Sequence, residues 1–575
     1  MNRSKAPKNL QPRQPYFYIM RNKEVFGLPQ DNGKGAQFIY EDCDRLINSA
    51  KITGNIADQD ILDLLKTTEG FRKLVHSIGV SIVMENPEER VKFVFQMYGK
   101  KDRCHGGTNI ICPLRGDGTE AIVRLDEIEW SKDDDEPGQI QIEFNKPGML
   151  GGVNVRFFLN DGYKIPEPIE DTEIDFSSGY YDEMIAGSLM SLGNTARIEK
   201  AIRKAARGED VTLAFIGGSV TQGAGAVPIH TECYAYKTYQ TFIERFSTGS
   251  NVHFIKAGAG GTPSELGVVR YDRDVIRGAD ASPDIVIVEF AVNDEDDETK
   301  GDCFESLVRR ILKHPDQPAV ILLFSVFADD WNLQDRLSKI GAHYELPMVS
   351  IKNAVTPQFW LKKGHGCILS KNQFFYDMFH PSNIGHRIIS DCLITLLECI
   401  RTNISEGRNM EDATQRLLDK EPLIGSTFED IKLLDRSTGT DAAQIICGPF
   451  DGQDRQLQCV EMDTDITGTM LFPDNWMYQG RKDTASLYFE MKIKCRVLMM
   501  IYKDSGEPDV GTADVYVDGR KIMTADPHIK GWIHCNPAIL FAEEEVKEHI
   551  VKICPTLGEE DKSFTILGFG YVDNK

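Results

Sequence analysis

Between residues 190 and 405, short and wholly apolar runs alternate with amphipathic segments of helical length, and this alternation restricts the fold more than any other feature of the chain. The apolar runs are Leu213–Ile216, Val252–Ile255, Ile285–Phe290 and Val320–Phe324. A strand with no polar side must be covered on both faces, so such runs belong to a parallel sheet with helices in front and behind. The segment Ala196–Ala206 sets Ile198, Ala201, Ile202 and Ala205 on one helical face and stops at Gly208. A last helix, starting near Asn383, carries an apolar stripe from Ile384 to Ile400 that is wide enough to lie on a sheet.

On either side the period changes from helical to two. From about 16 to 185, Val91, Phe93 and Phe95 alternate with Lys92 and Gln96, and Ile140, Ile142 and Phe144 with Gln141 and Glu143, which predicts an antiparallel β-sandwich. Within it, Asp133–Gly138 reads as an acidic hairpin loop and Asp60–Val75 as a helical insertion. After a polar, charged linker over 404–421, alternation returns in Leu487–Cys495, Val515–Val517, Ile550–Cys554 and Ile566–Val572. Asp518-Gly519 is a two-residue hairpin turn. The expected organisation is an N-terminal β-sandwich with a helical insertion (1–188), an α/β domain (189–405) and a C-terminal β-sandwich (422–575).

Composition narrows the function classes. A net charge of −23 repels phosphate backbones and anionic lipid, so neither nucleic acid nor membrane is an expected partner. No apolar run reaches the ~18 residues of a membrane span. Residues 1–15 have basic groups but no apolar stretch of a secretory signal, so a cytoplasmic location is expected. The 13 cysteines run singly from Cys43 to Cys554 with no CxxC pair and no zinc spacing, which predicts reduced, mostly buried thiols.

Ligands of open parallel sheets bind beyond the carboxyl ends of the strands, which makes those positions the ones to inspect. After the first run comes Gly217-Gly218-Ser219-Val220-Thr221-Gln222-Gly223, where glycines permit a sharp turn that exposes Ser219. Alone this is a nucleophile's turn, a phosphate cradle or a plain turn; it lacks the lysine of a P-loop and is no Gly-x-Ser-x-Gly elbow. The second run is followed by Gly258-Ala259-Gly260-Gly261-Thr262 and the third by Ala291-Val292-Asn293-Asp294. The amide of Ser219, one amide of the glycine loop and the Asn293 side chain can form a three-donor oxyanion hole, although a tight turn and a helix cap account for the same residues. Ahead of the closing helix stands Tyr376-Asp377-Met378-Phe379-His380-Pro381. A serine nucleophile needs a base held by a carboxylate, and Asp377 and His380, three apart on one turn, supply both.

These blocks, Gly-Gly-Ser-Val-Thr-Gln-Gly, the glycine loop, Glu-Phe-Ala-Val-Asn-Asp and Asp-Met-Phe-His-Pro, resemble in order the four blocks of the SGNH (GDSL-type) hydrolases over about 190–405. The resemblance implies a flavodoxin-like three-layer α/β/α domain. It implies Ser219 as nucleophile, His380 as general base and then acid, Asp377 as its orienting carboxylate, and Gly261 and Asn293 as oxyanion donors beside the Ser219 amide, with Gly260 as alternate to Gly261. Gly-Gly-Ser stands where many members have Gly-Asp-Ser, Lys256 where Asn is frequent, and Ala291-Val292 where Gly is common. The pattern is most similar to the carbohydrate-esterase branches, whose attached β-sandwiches are jelly-roll-like, the C-terminal one like a carbohydrate-binding module. It implies a serine esterase acting on O-acetylated oligo- or polysaccharide such as mannan or xylan fragments, with no metal or cofactor and compatible with a homo-oligomer. Trp331 and Trp360 are candidate sugar platforms, and Trp476, Trp532 and Tyr478 candidates for completing the pocket from the C-terminal sandwich. The alternatives are a lipid or thioester acyl hydrolase on the same residues and a non-catalytic carbohydrate-binding scaffold.

Overall fold

The computed structural model describes residues 14–574 apart from 166–170, 250, 279–281, 296, 362–365, 439–442 and 481–487. By compactness the chain divides into two units. One comprises 1–176 with the short segments 225–228 and 358–385; the other comprises 177–224, 229–357 and 386–575.

In the first unit the period-two segments pair as two antiparallel sheets. One runs in the order Tyr16–Phe26, Leu150–Leu159, Val75–Met84, Ala121–Arg124; the other in the order Leu28–Pro29, Gly35–Tyr40, Asp134–Phe144, Arg90–Gly99, Asn109–Arg115. Alternate residues turn inward: Phe93, Phe95, Ile140 and Ile142 of one sheet share a core with Ile78, Val80, Val155 and Phe157 of the other. Three helices, Arg45–Thr53, Gln59–Leu64 and Thr68–Leu74, lie between the third and fourth of these strands in chain order; the first precedes the expected insertion and the other two fall within or at its edge. Phe71 of the third is fully buried and meets Phe95 and Phe157 edge-on at 5.7 and 5.1 Å. Asp133–Gly138 departs from the hairpin loop expected of it, because the strand already begins at Asp134. Its acids are used internally: Asp134 accepts from the Thr108 amide (2.7 Å) and hydroxyl (2.8 Å), and Asp133 from the Lys101 and Asp102 amides.

The second unit is built on a six-stranded sheet in the order Leu189–Ser191, Met348–Ser350, Ala319–Phe324, Ile285–Glu289, Val211–Gly217, Val252–Gly258. The last five are parallel and, numbered along the chain, read 2-1-3-4-5, the flavodoxin-like order; the first is an antiparallel edge. The two three-residue strands are too short to carry a periodic signal. Successive residues face opposite sides: Ala214 and Ile216 lie in the core with Leu266 and Leu307, whereas Phe215 meets Tyr234 of the helix Tyr234–Phe246 at 5.8 Å. Helices therefore cover both faces. The order reverses between the first and third parallel strands, so the chain ends leading to Ser219 and Asn293 emerge at the switch point, where a crevice is geometrically unavoidable.

The segment expected to be a polar linker is docked. Thr414–Leu418 is a helix whose Leu417 and Leu418 enter the same core, and the buried Glu305 carboxylate accepts the amides of Leu423, Ile424 and Gly425 at 2.6–3.0 Å. Beyond it, eight strands form one continuous antiparallel sheet around Phe489–Asp504. That strand bends at a bulge between Cys495 and Val497, and its inward parity flips there. Phe489, Met491, Ile493 and Cys495 share a core with Leu498, Met500 and Tyr502, while Val497, Met499 and Ile501 face the core of the parallel sheet. Asp518 and Gly519 both have positive φ (52° and 79°), the turn expected of them. Among the described residues no helix is long and apolar enough to cross a membrane, and all 13 cysteines are unpaired.

Candidate active site

The first parallel strand ends at Gly217 and turns at once into the four-residue helix Ser219–Gln222. The turn has no room for side chains. A Cβ on Gly218 would stand 2.1 Å from Asn293 Oδ1, one on Gly217 2.2 Å from Thr221 Oγ1, and one on Gly258 2.0 Å from the Gln222 nitrogen. Gly223 closes the turn with φ +106°, a left-handed conformation natural only to glycine. Beneath it, the buried Thr221 hydroxyl sits 2.9 Å from the Tyr234 hydroxyl and donates to Glu289 Oε2 at 3.2 Å. Burial pushes the Glu289 carboxyl up to about 7. Lys256, wholly buried, donates to the Gln222 carbonyl at 2.8 Å and holds the end of the short helix; burial lowers its pKa.

Ser219, the glycine loop and Asn293 are brought together. A Cβ on Gly260 would be 3.8 Å from Ser219 Cβ, and Asn293 packs on Gly218. The Asn293 Oδ1 is buried without a hydrogen-bond partner, and its Nδ2 has no acceptor among the described residues. Asp294, buried and pushed up to about 7 by burial, accepts the Ser264 amide at 2.8 Å and so ties the far end of the glycine loop to the Asn293 strand end.

The Gly260 N–H, the alternate oxyanion donor of the sequence, already has a partner. It donates to Gln222 Oε1 at 2.8 Å, and the Gly260 carbonyl accepts from Gln458 Nε2 at 2.7 Å. Gln222 is itself held by Glu461 Oε2 at 2.6 Å. An amide engaged in this way would have to break a bond before it could stabilise an oxyanion, whereas Gly261, at φ +69°, has no such bond among the described residues. A Cβ on Gly261 would come within 3.0 Å of both His534 and Trp532, whose rings lie 4.6 Å apart. Gln458, Glu461, Trp532 and His534 therefore frame the glycine loop from the C-terminal sheet region. Sequence reasoning singled out Trp532 alone among them, as one of three aromatic candidates.

The turn that carries Asp377 and His380 lies in the first unit. Phe375 and Pro381 are bridged across a tight turn, closed by the Tyr376 amide on the His380 carbonyl at 2.8 Å. One carboxylate organises this turn: Asp377 Oδ1 accepts the Phe379 and His380 amides at 2.8 and 2.9 Å, and Oδ2 lies 2.9 Å from His380 Nδ1. An ionised carboxylate only accepts, so Nδ1 carries the proton, and in the neutral imidazole Nε2 is the acceptor. Burial would raise the Asp377 pKa, but the charge and hydrogen bond of His380, with Lys23 and the Phe379 amide, outweigh it and hold the carboxyl well below the usual range. Gly225, six residues beyond Ser219, packs on this turn: at φ +87°, its Cβ would stand 2.2 Å from the Pro381 carbonyl oxygen and 3.0 Å from His380 Cβ. His386 is buried; its Nδ1 accepts the Tyr234 amide and its Nε2 lies 3.0 Å from the Ala224 carbonyl, a structural role.

The aromatic candidates separate. Trp476 and Tyr478 are buried; Trp476 packs on Phe489 and Phe569, and the Tyr478 hydroxyl donates to the Glu560 carbonyl, so both belong to the C-terminal core. Trp331, half-buried, stacks on Phe327 at 5.6 Å in a loop that Leu333 ties to the Ala291 carbonyl. Trp360 is 74% exposed and Trp532 45%. Among the described residues no group of three His, Cys, Asp or Glu side chains is placed to hold a metal ion.

Residues 215–388 match the family model of the GDSL-like lipase/acylhydrolases, a span that begins in the strand before Ser219 and ends beyond His380. This segment is a GDSL-like hydrolase domain. The enzyme class that such a domain defines is the carboxylic ester hydrolase. The GDSL domain lies in a chain that matches two crystal structures of a two-domain esterase active on acetylated mannans. The form co-crystallised with mannopentaose is 24% identical, at a TM-score of 0.57, over 68% of this chain and 98% of that one. The second is also 24% identical, at a TM-score of 0.56, over 68% and 99%. Those likenesses show the fold. No curated protein matches the chain.

Proposed function

We propose that the protein is a serine esterase that removes O-acetyl groups from carbohydrate, with Ser219 as nucleophile and the Asp377–His380 pair as its base. The observation that carries this reading is the 2.9 Å contact between the Asp377 carboxylate and His380 Nδ1, which leaves Nε2 as a proton acceptor. His380 takes the Ser219 proton as Oγ attacks the acyl carbon. The oxyanion is met by the amides of Ser219 and Gly261 and by Asn293 Nδ2. The carbonyl re-forms as the C–O bond to the sugar breaks, and His380 gives its proton to the departing hydroxyl. Water, deprotonated by His380, then releases acetate and restores the serine.

The choice of an acetylated glycan draws on the exposed indole of Trp532 beside Gly261 and on the fold shared with an esterase described as active on acetylated mannans. The two N-terminal sheets and the C-terminal sheet are read as jelly-roll-like β-sandwiches flanking the hydrolase domain, the latter lending Trp532 to the substrate. Thirteen unpaired cysteines support a reducing, cytoplasmic setting in which short acetylated oligosaccharides are the substrates. The test is hydrolysis of esters from acetyl to decanoyl and of acetylated mannan and xylan oligomers, with Ser219→Ala beside the parent. Acetyl preference lost in Ser219→Ala is the expected result. Preference for chains of eight or more carbons would assign a lipid or thioester substrate, and glycan binding without turnover would make the protein a binding scaffold.

A further inference from the structure

The turn that carries Asp377 and His380 is held by a strand of the N-terminal sheet, from the same compact unit. Tyr16–Phe26 is interrupted by a bulge between Met20 and Lys23, where Asn22 takes φ +49°. A bulge re-aims the side chains that follow it, and here Lys23 and Glu24 both reach the catalytic segment. Lys23 Nζ donates to the Tyr376 carbonyl at 2.5 Å and lies 3.9 Å from the centre of the Tyr376 ring. Glu24 accepts from Asn383 Nδ2 at 2.5 Å, and Asn383 in turn exchanges bonds of 2.7 Å with the amide and carbonyl of Val227. The ionisable groups that act on the Tyr376 side chain are Asp377, Glu41 and Glu24, and those acting on Lys23 are Glu41 and Asp377. Burial pushes Glu41 up to about 8, and the Ser49 hydroxyl donates to it at 2.9 Å. The lysine binds the carbonyl of the residue next to Asp377, and its charge acts on the Asp377 carboxylate.

We propose that Lys23 is a positioning residue for the Asp377–His380 pair: its ammonium fixes the Tyr376 peptide from which the turn starts and supplies positive charge beside the Asp377 carboxylate. The N-terminal module is then a working part of the esterase rather than an appended domain. This rests on the proposed ester hydrolysis for its kinetic readout only. A lysine that merely joined sheet to loop would affect stability and nothing else.

The test compares Lys23→Met, Lys23→Gln and Lys23→Arg with the parent, in the full chain, by kcat and KM on an acetyl ester, by the pH profile of kcat/KM, and by the downfield Nδ1–H proton signal of isotope-labelled histidine, assigned through its loss in His380→Ala. Lys23→Met and Lys23→Gln are expected to lower kcat about 10- to 100-fold with KM little changed, the scale of a misplaced catalytic group. Loss of the cation is expected to alter the pH profile, and the Nδ1–H signal broadens or shifts upfield. Lys23→Arg, which keeps charge and donor, restores most of kcat and the signal. A lowered Tm in the Met and Gln variants with unchanged kcat, pH profile and signal would overturn the proposal. If the parent hydrolyses no ester, the function proposed above fails, and the Nδ1–H signal alone decides on Lys23. If Lys23→Met does not fold, Lys23→Gln and Lys23→Arg carry the comparison.

Discussion

The Asn293 amide packs against Gly218 and is the side-chain donor of the proposed oxyanion hole. Its Oδ1 lies where a Cβ on Gly218 would be 2.1 Å away, so Asn293 leaves room only for glycine at 218. Asn293→Ala is expected to lower kcat on an acetyl ester by on the order of 100- to 1000-fold, about 3 to 4 kcal/mol of transition-state stabilisation, with little change in KM. Steady-state kinetics on the purified variant checks this. Neighbouring glycines are expected to differ. Gly261→Ala places a methyl group 3.0 Å from the His534 and Trp532 rings at a φ of +69°, which displaces the donor amide and lowers kcat. At Gly260 the nearest atom to an added Cβ is the far end of the Gln222 side chain, at 2.9 Å, and the effect on kcat is expected to be smaller.

At the scale of elements, the short helix after Ser219 is clamped from both sides: Lys256 binds its last carbonyl, and Gln222 links it to Gly260 on one hand and Glu461 on the other. Gln222→Leu removes both links while keeping the volume. It is expected to free the Gly260 amide, loosen the glycine loop and lower kcat without abolishing activity, a result that a kcat comparison with Gly260→Ala would place in the loop rather than in the serine. Trp532→Ala leaves these bonds intact. If its indole stacks on sugar, kcat/KM for acetylated oligosaccharide falls while that for a small acetyl ester holds; equal losses on both would assign Trp532 to loop packing instead.

For the whole molecule, burial of acids has a consequence for stability. Glu289 and Asp294 are pushed up to about 7 and Glu265 to about 9, each chiefly by burial and each above the ordinary carboxylate value expected in the unfolded chain. The folded state therefore holds protons that the unfolded state releases. The contribution of these groups is fully present below about pH 4 and is lost as the pH rises through 7 to 9. Tm is expected to fall over that upper range, and Glu289→Gln, which cannot ionise, is expected to raise Tm relative to the parent at pH 8 and not at pH 5. A thermal melt at the two values decides it.

The period-two and strand-then-helix patterns were sufficient to tell the all-β segments from the α/β segment because burial on one face or on two is written directly into side-chain polarity: Phe93 and Phe95 face the N-terminal core, and Ile285–Glu289 is buried on both sides. The same local logic exposed Asp377 and His380, which are three residues apart and bond within one turn. Groups whose partners lie far along the chain left no such trace. Lys23 meets Tyr376 across 353 positions and Gln222 meets Glu461 across 239. Nothing in residue type or spacing distinguishes a lysine that binds one particular carbonyl from one in water. Likewise Asp133, Asp134, Leu417 and Leu418 read as loop and linker because their acceptors and cavities are formed by other segments. The sequence by itself determined which elements form, which faces they bury and which short-range groups can do acyl chemistry. Only the tertiary structure showed that the Gly260 amide is engaged and which distant side chains hold the loops, since a hydrogen bond made on chain folding is a property of two places at once.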